Sequence, residues 1–246
     1  MATLVAIYLL HHHHFRASRF TLGALALPGV LGMFVAFGML LTIQYLIAER
    51  EDGTLLRARA TPDGIRGYLI GKVVTVSGTT LAYLAILPGG GLPIIGGLQV
   101  NTPGSWLTFA WVLALGLVAT QTIGAMLGSL ISTPRGAGYI SLPVIGLIAI
   151  SGIFYPLTAL PTWLQHIAQV FPVYWLGLGM RSALLPASAM SVEIGHSWHH
   201  LETLGVLGAW ATIGLLLAPI VLRRMANRES GSRVVARRER MLQRGS

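Results

Sequence analysis

The sequence contains no cysteine. That excludes a disulfide framework, a thiolate metal site, a c-type haem attachment and a palmitoylated anchor. Lysine is nearly absent as well, Lys72 being one of 17 basic residues. Charge of either sign is scarce, at 10% of 246 residues against about 25% in a soluble domain. Residues 73–134 hold no Asp, Glu, Lys, Arg or His. That 62-residue run is about three times the roughly 20 apolar residues that cross a bilayer. A soluble domain, a disordered chain and a protein with a single membrane anchor are all excluded. What is present is 54% hydrophobic residues and a mean hydropathy of +0.69. The fold class read from this is an all-α polytopic membrane protein.

Charge-poor windows set the expected spans. They lie within 20–48, from Lys72 to about Gly97, from Ser105 to Ile131, from Arg135 to Tyr155, and from Leu201 to Leu222. The remaining stretch, 136–180, carries no formal charge and is too long for one span. Pro156, Pro161 and Pro172 fall in its second half, and proline removes a backbone donor and breaks helices. A helical hairpin that dips in and returns suits 156–175, since irregular backbone is tolerated in a membrane where protein covers it. Parity supports this. With five crossings plus a hairpin, 14 basic residues share one side with the loop 49–72 and the tail, and three lie opposite. A full crossing at 156–180 would make the split 7 against 10. The positive-inside rule therefore places the loop and the C-terminus in the cytoplasm of a cell-membrane protein. The net charge of +9 reads as orientation and contact with anionic lipid, with no nucleic-acid partner implied.

Few motifs carry chemistry. Gly67-Tyr-Leu-Ile-Gly71-Lys72-Val73 falls short of a phosphate-binding loop: one residue is missing between the glycines, and Val stands where Ser or Thr must hold magnesium. No Asp or Glu lies inside an expected span, which speaks against a proton- or sodium-coupled carrier. All eight histidines, including His11 to His14, fall on the expected outer side, and no carboxylate spacing among them suggests a metal. The loop Glu49–Asp63 mixes both charge signs. It predicts a short helix from about Thr54 to Ala60, then a helix start at Thr61-Pro62-Asp63 with Thr61 as cap. Such a loop docks a partner or merely anchors two spans. Gly116, Thr120, Gly124 and Gly128 recur every four residues, a spacing that lets helices approach closely within the subunit or against another. Gln44, Gln121 and Thr122 are polar positions inside spans, suited to a substrate path or to bonding between helices.

Two segments together resemble the permease subunits of type 2 ABC exporters, most of all the daunorubicin-resistance and nodulation-factor-export class. One is Glu49-Arg-Glu-Asp-Gly-Thr-Leu-Leu with Thr61-Pro62 and Gly71-Lys72. The other is Ser151-Gly-Ile-Phe-Tyr-Pro-Leu-Thr-Ala-Leu-Pro-Thr-Trp-Leu-Gln with Phe171-Pro172-Val-Tyr174 and Gly179-Met-Arg181. Leu27-Pro28-Gly29 also fits, and the likeness covers about residues 25–225. It implies a transmembrane domain over 26–222, preceded by 1–25 and followed by a basic tail, 223–246. It implies that Glu49, Arg50, Glu51, Gly53, Thr54 and Leu55, with Arg135 as a second contact, couple to an ATPase within a cytoplasmic loop 49–66. The hairpin, with Ser151, Gly152, Phe154, Pro156, Leu160, Pro161, Trp163, Pro172 and Tyr174, would form an outer gate.

The implied partners are an ABC ATPase, a second identical or different permease copy, the bilayer and an amphipathic drug, antibiotic or lipid-linked substrate. The chain itself would be no enzyme and hold no cofactor, with ATP and Mg bound by the ATPase. The family norm is six spans, so a first span is expected to be missing, truncated or upstream of Met1. Two rivals remain from other classes: a secondary carrier, and a non-transporting scaffold or immunity protein derived from a permease.

Overall fold

The computed structural model describes residues 22–51, 54–62, 64–91, 102–131 and 134–244. Residues 1–21, with His11 to His14, and Gly53 lie outside the described residues, as do the side chains of Glu51, Leu55 and Arg135. The described residues form eight α-helices and three short 3-10 turns, with no strand among them. We number the helices α1 (Leu22–Glu51), α2 (Thr54–Arg59), α3 (Gly64–Gly91), α4 (Pro103–Ser129), α5 (Pro134–Ile150), α6 (Thr162–Val170), α7 (Pro172–Leu184) and α8 (His200–Arg244).

Four of them, α1, α3, α4 and α8, are long and apolar enough to cross a bilayer. α5, at 17 residues, sits at the lower limit of about 17 for a crossing. Its end comes earlier than the expected Tyr155. The Ser151 hydroxyl donates to the Ile148 carbonyl at 2.6 Å, and Gly152 turns the chain with φ +68, a conformation that only glycine adopts without strain. At the other extreme, α8 runs 45 residues to Arg244 instead of stopping near Leu222. Arg, Ala, Glu and Met, all good helix formers, carry it on past the apolar part.

α4 is the central helix. It packs on α1, α7 and α8, and its small residues make that possible. A Cβ on Gly124 would lie 2.5 Å from the Met39 carbonyl oxygen of α1, and one on Gly128 would lie 3.2 Å from the Ile43 Cα. The Thr120 hydroxyl donates to its own helix at Gly116 (2.7 Å) and lies 3.3 Å from the Val35 carbonyl of α1. Gly116 makes room for Leu176 of α7. The four-residue stripe thus faces inside the subunit, where lipid tails offer no hydrophobic drive and close approach supplies the dispersion energy. On the opposite side of α4, Gly214 of α8 accommodates the Thr122 side chain.

The stretch expected to form a hairpin is a 3-10 turn at Leu157–Ala159 followed by α6 and α7. Pro172 stops α6 and starts α7. The orphan carbonyls at the end of α6, which every helix terminus must satisfy, are capped by indoles. Trp175 donates to Gln169 at 2.6 Å and Trp210 of α8 to Val170 at 2.9 Å. Phe171 stacks on Trp210 with centroids 6.1 Å apart. α7 is buried along nearly its whole length. α6 is amphipathic, exposing Trp163, Ile167 and Val170 and burying Ala168.

Replacing Gly124 with Val should lower the melting temperature of the detergent-solubilised protein by the equivalent of about 1–3 kcal/mol, the usual cost of overpacking. Gly208→Val, at a position where nothing lies within 4 Å of an added Cβ, should leave it nearly unchanged. Equal effects at both positions would remove the packing role assigned to Gly124.

Candidate functional site

The loop after α1 and the residues around it build a corner at one end of the bundle. Tyr45 and Glu49 lie four residues apart on one face of α1, and Tyr68 and Lys72 do the same on α3. At that spacing helical side chains are neighbours, so the two pairs interlock. The Tyr68 hydroxyl donates to Glu49 Oε2 at 2.5 Å, and the Lys72 ammonium donates to Glu49 Oε1. The same ammonium sits 4.7 Å from the Tyr45 ring centroid and 5.8 Å from that of Tyr68, where the ring faces attract a cation.

This explains why the apolar span begins with the helix at Gly64 and not near Lys72. The lysine lies two turns inside the helix and is only 8% exposed, because its charge is cancelled and covered. Removing one partner of such a pair costs about 3–5 kcal/mol, because the other charge is left buried alone.

α2 fills the corner. It packs against α3 and touches α1 and α8. Thr54 accepts a hydrogen bond from Arg57 Nη2 at 3.1 Å. The Thr61 hydroxyl points back and donates to Ala58 at 2.9 Å. It closes α2 instead of capping α3, which corrects the cap expected from Thr61-Pro62-Asp63; Asp63 lies outside the described residues. Of the residues singled out here, Glu49 carries the corner, Arg50 is half-buried beside it and Thr54 opens α2. Arg66 of α3 and Arg223 of α8 line one groove, so the loop and the start of the tail lie at the same end, as parity requires.

A second constellation closes the opposite end. Arg181 of α7 is 7% exposed and Glu193 is 3% exposed. Arg181 Nε donates to Glu193 Oε1 at 2.6 Å, Nη2 to Oε2 at 3.2 Å, and Nη1 to the Gly152 carbonyl at 3.0 Å. One guanidinium therefore ties α7, the turn after α5 and the loop before α8 together, with the bidentate geometry that suits arginine. Gly29 of α1 adds to this end, since a Cβ there would lie 2.3 Å from the Ile153 carbonyl oxygen. Ser151, Leu157 and Tyr174 are buried around the clasp. Phe154 and Trp163 are exposed at 56% and 63%, while Pro156, Leu160 and Pro161 shape the intervening turn.

Glu193 was not singled out in the sequence. A signal was available: Arg181 and Glu193 are the only formal charges between residues 136 and 201, and isolated charges beside apolar spans need partners.

Between the two ends lies a polar seat. Gln121 of α4 is fully buried and donates through Nε2 to Ser77 of α3 at 3.1 Å. Its Oε1 has no hydrogen-bond partner, so it can accept from a donor that enters. Thr122 bonds to its own helix at Val118, and Gln44 is exposed. Among the described residues, no three His, Asp or Glu gather as a metal site.

A model of the ABC-2 family transporter proteins matches residues 16–222. The probable multidrug ABC transporter permease YbhR of Escherichia coli strain K12 is 27% identical over 151 residues, 59% of this chain and 39% of that relative. Its counterpart in strain O157:H7 matches to the same extent. The aligned part thus spans well under half the length of these curated relatives.

Two outcomes test this end. Arg181→Met should destabilise the protein by about 3–5 kcal/mol, and the double variant Arg181→Met/Glu193→Leu by less than either single change. Additive losses would show that the pair is not coupled. Next to it, His199 Nδ1 faces Glu202 Oε1 at 3.0 Å and Nε2 faces the Ile194 carbonyl at 2.9 Å. Only the protonated ring can donate to both. The Glu202 hydrogen bond raises the His199 pKa, burial opposes it, and the Ile194 carbonyl adds to it. The folded pKa lies above the unfolded value of about 6.5, so the stabilisation is complete below that pH and is lost as pH rises through the folded pKa. It is small, since both side chains are solvent-screened. The melting-temperature gap between wild type and His199→Gln should therefore be present at low pH and vanish at high pH. A gap independent of pH refutes this.

Proposed function

The chain belongs to the ABC-2 family of transporter proteins, and from that premise we propose that it is the membrane-spanning permease subunit of an ATP-driven exporter. It would pair with a second permease copy and with ABC ATPase subunits that bind ATP and Mg. It would catalyse no reaction itself. The observation that carries this is the corner: a short helix, α2, held between two spans and braced by the Glu49–Lys72–Tyr68 contact.

A partner seated on α2 can bias the permease only if it binds α2 differently in two arrangements. A rigidly braced corner passes such a bias to α1 and α3 instead of absorbing it in a loose loop. In this reading the corner faces the cytoplasm, together with the C-terminus. The hairpin of α6 and α7, with its exposed Trp163, forms the outer gate. The cargo is an amphipathic molecule, a drug, antibiotic or lipid-linked compound, and Gln121 offers it one hydrogen-bond acceptor within an otherwise apolar interior. The likeness to a multidrug permease supports that class of cargo.

A mild-detergent pull-down of the tagged chain from its native membrane should recover an ABC ATPase in near-equal amount. Deleting Thr54–Arg59 should abolish both that recovery and export. Export in cells should stop on ATP depletion even with the proton gradient maintained. Export that survives ATP depletion would establish a secondary carrier instead, and a chain that comes down alone would point to the scaffold.

A further inference from the structure

We propose that the groove between α3 and α8 is a binding site for an anionic phospholipid from the leaflet on the Arg66 side of the membrane. The groove encloses about 470 Å³ and is lined by residues of α3 and α8 only. That volume falls within the range of about 300–1,000 Å³ typical of sites that hold small molecules. Its walls are apolar, with Leu69 and Ile70 on α3 facing Leu216 and Ile220 on α8. Ile70 and Leu216 are 60% and 66% exposed. Both helices are long and apolar enough to be spans, so the environment that meets this groove is hydrocarbon.

The chemistry at its end is different. Arg66 is the third residue of α3, and Arg223 stands four residues before Asn227, where the apolar part of α8 ends. Both arginines line the groove and both are exposed. They lie at the membrane boundary, at the level of lipid headgroups, where long basic side chains lay their stems along apolar surface and keep their charge in the polar layer. A planar guanidinium matches a phosphate with two parallel hydrogen bonds. An apolar slot capped by two such groups fits a phosphodiester whose acyl chain runs down between the helices.

The same charges select the occupant. A zwitterionic choline lipid brings its own cation to the two arginines, whereas phosphatidylglycerol brings only the phosphate. A second copy of the chain seated through the same face would set arginines against arginines, because a two-fold contact pairs identical patches. The site requires only that the helices be embedded in a membrane, so it does not rest on the transport reading.

Native mass spectrometry of the full-length chain in mild detergent, exposed to phosphatidylglycerol or phosphatidylcholine with identical acyl chains, tests it. Each basic group near anionic lipid is worth about fivefold in affinity. Two such groups should therefore hold phosphatidylglycerol about 25-fold more tightly, at one per chain. Arg66→Gln/Arg223→Gln should abolish the preference, and Arg66→Lys/Arg223→Lys, with an unchanged gel-filtration profile, should keep most of it. Leu216→Trp, which fills the slot, should weaken retention of both lipids. Equal retention of the two lipids by the wild type, or an unchanged preference in the glutamine variant, would overturn the proposal. The absence of cysteine makes one further arm clean: efficient chain-to-chain cross-linking of Ile220→Cys in the membrane would show a second copy in the groove and also refute it.

Discussion

A charge drawn out of water must meet its opposite, and in a chain that is mostly hydrocarbon this condition decides where the structure is held. Two places meet it. At one end Lys72 lies two turns inside α3 and finds Glu49 with two tyrosine rings around it. At the other, Arg181 is buried and finds Glu193 and the Gly152 carbonyl. Coulomb attraction in a poor dielectric is strong but only balances the cost of leaving water when geometry is good and the remaining protons are satisfied. Both sites meet that condition. Lys72 adds ring faces to its carboxylate, and Arg181 uses all three of its nitrogens. Neither pair adds much net stability against an apolar replacement. What each contributes is position, because α1 is joined to α3 at one end and α7 to the α5 turn and the loop before α8 at the other.

Between these ends the bundle is joined by shape. The glycines and threonine of α4 bring its backbone against the carbonyls of α1, close enough that a single added methyl at Gly124 would meet Met39. Side chains on this seam, such as Val35, Met39 and Ile43, are buried in close contact and cannot reorganise cheaply. A change in the α1–α4 relation would have to be a movement of whole helices. The surfaces of α3 and α8 that face away from α4 are of the other kind, rich in exposed branched side chains such as Val74, Ile213 and Leu216. Such surfaces suit contact with lipid chains, and the groove between the two helices belongs to them.

The architecture was largely legible in the sequence because the bilayer imposes a coarse grammar. The uncharged run 73–134 forced several spans, and the distribution of arginines required the loop and the tail to share an end, which the Arg66–Arg223 groove shows. The short helix after Glu49 and the four-residue stripe on α4 followed from turn chemistry and periodicity. The misreadings have a common physical origin. Lys72 marked the expected start of the second span because a lone charge argues for water. It lies deeper because Glu49, 23 residues away, cancels it. Thr61 was expected to cap the next helix, and its hydroxyl turns back to donate to Ala58. Glu193 was passed over because its importance lies entirely in Arg181. In each case local sequence sets a propensity and a contact distant in sequence overrules it.

α1 is the element that unites these observations. At its beginning Gly29 lies against the Ile153 carbonyl, beside the Arg181 clasp, and at its end Glu49 holds the corner. The 20 residue steps from Gly29 to Glu49 rise about 30 Å, the thickness of the hydrocarbon core. A helix braced at both ends and seamed to α4 along its length has little freedom to bend. Any displacement applied where α2 meets α1 therefore reaches the turn after α5 as a rigid tilt or shift. The two buried ion pairs do not need to move for this to happen, because each lies at an end of the lever. The part free to yield is the exposed helix α6, set off from α7 by the break at Pro172 and held by indole hydrogen bonds that can lengthen one at a time. In the proposed reading one end receives a force and the other opens, and the distribution of stiff and yielding contacts along this chain has that asymmetry.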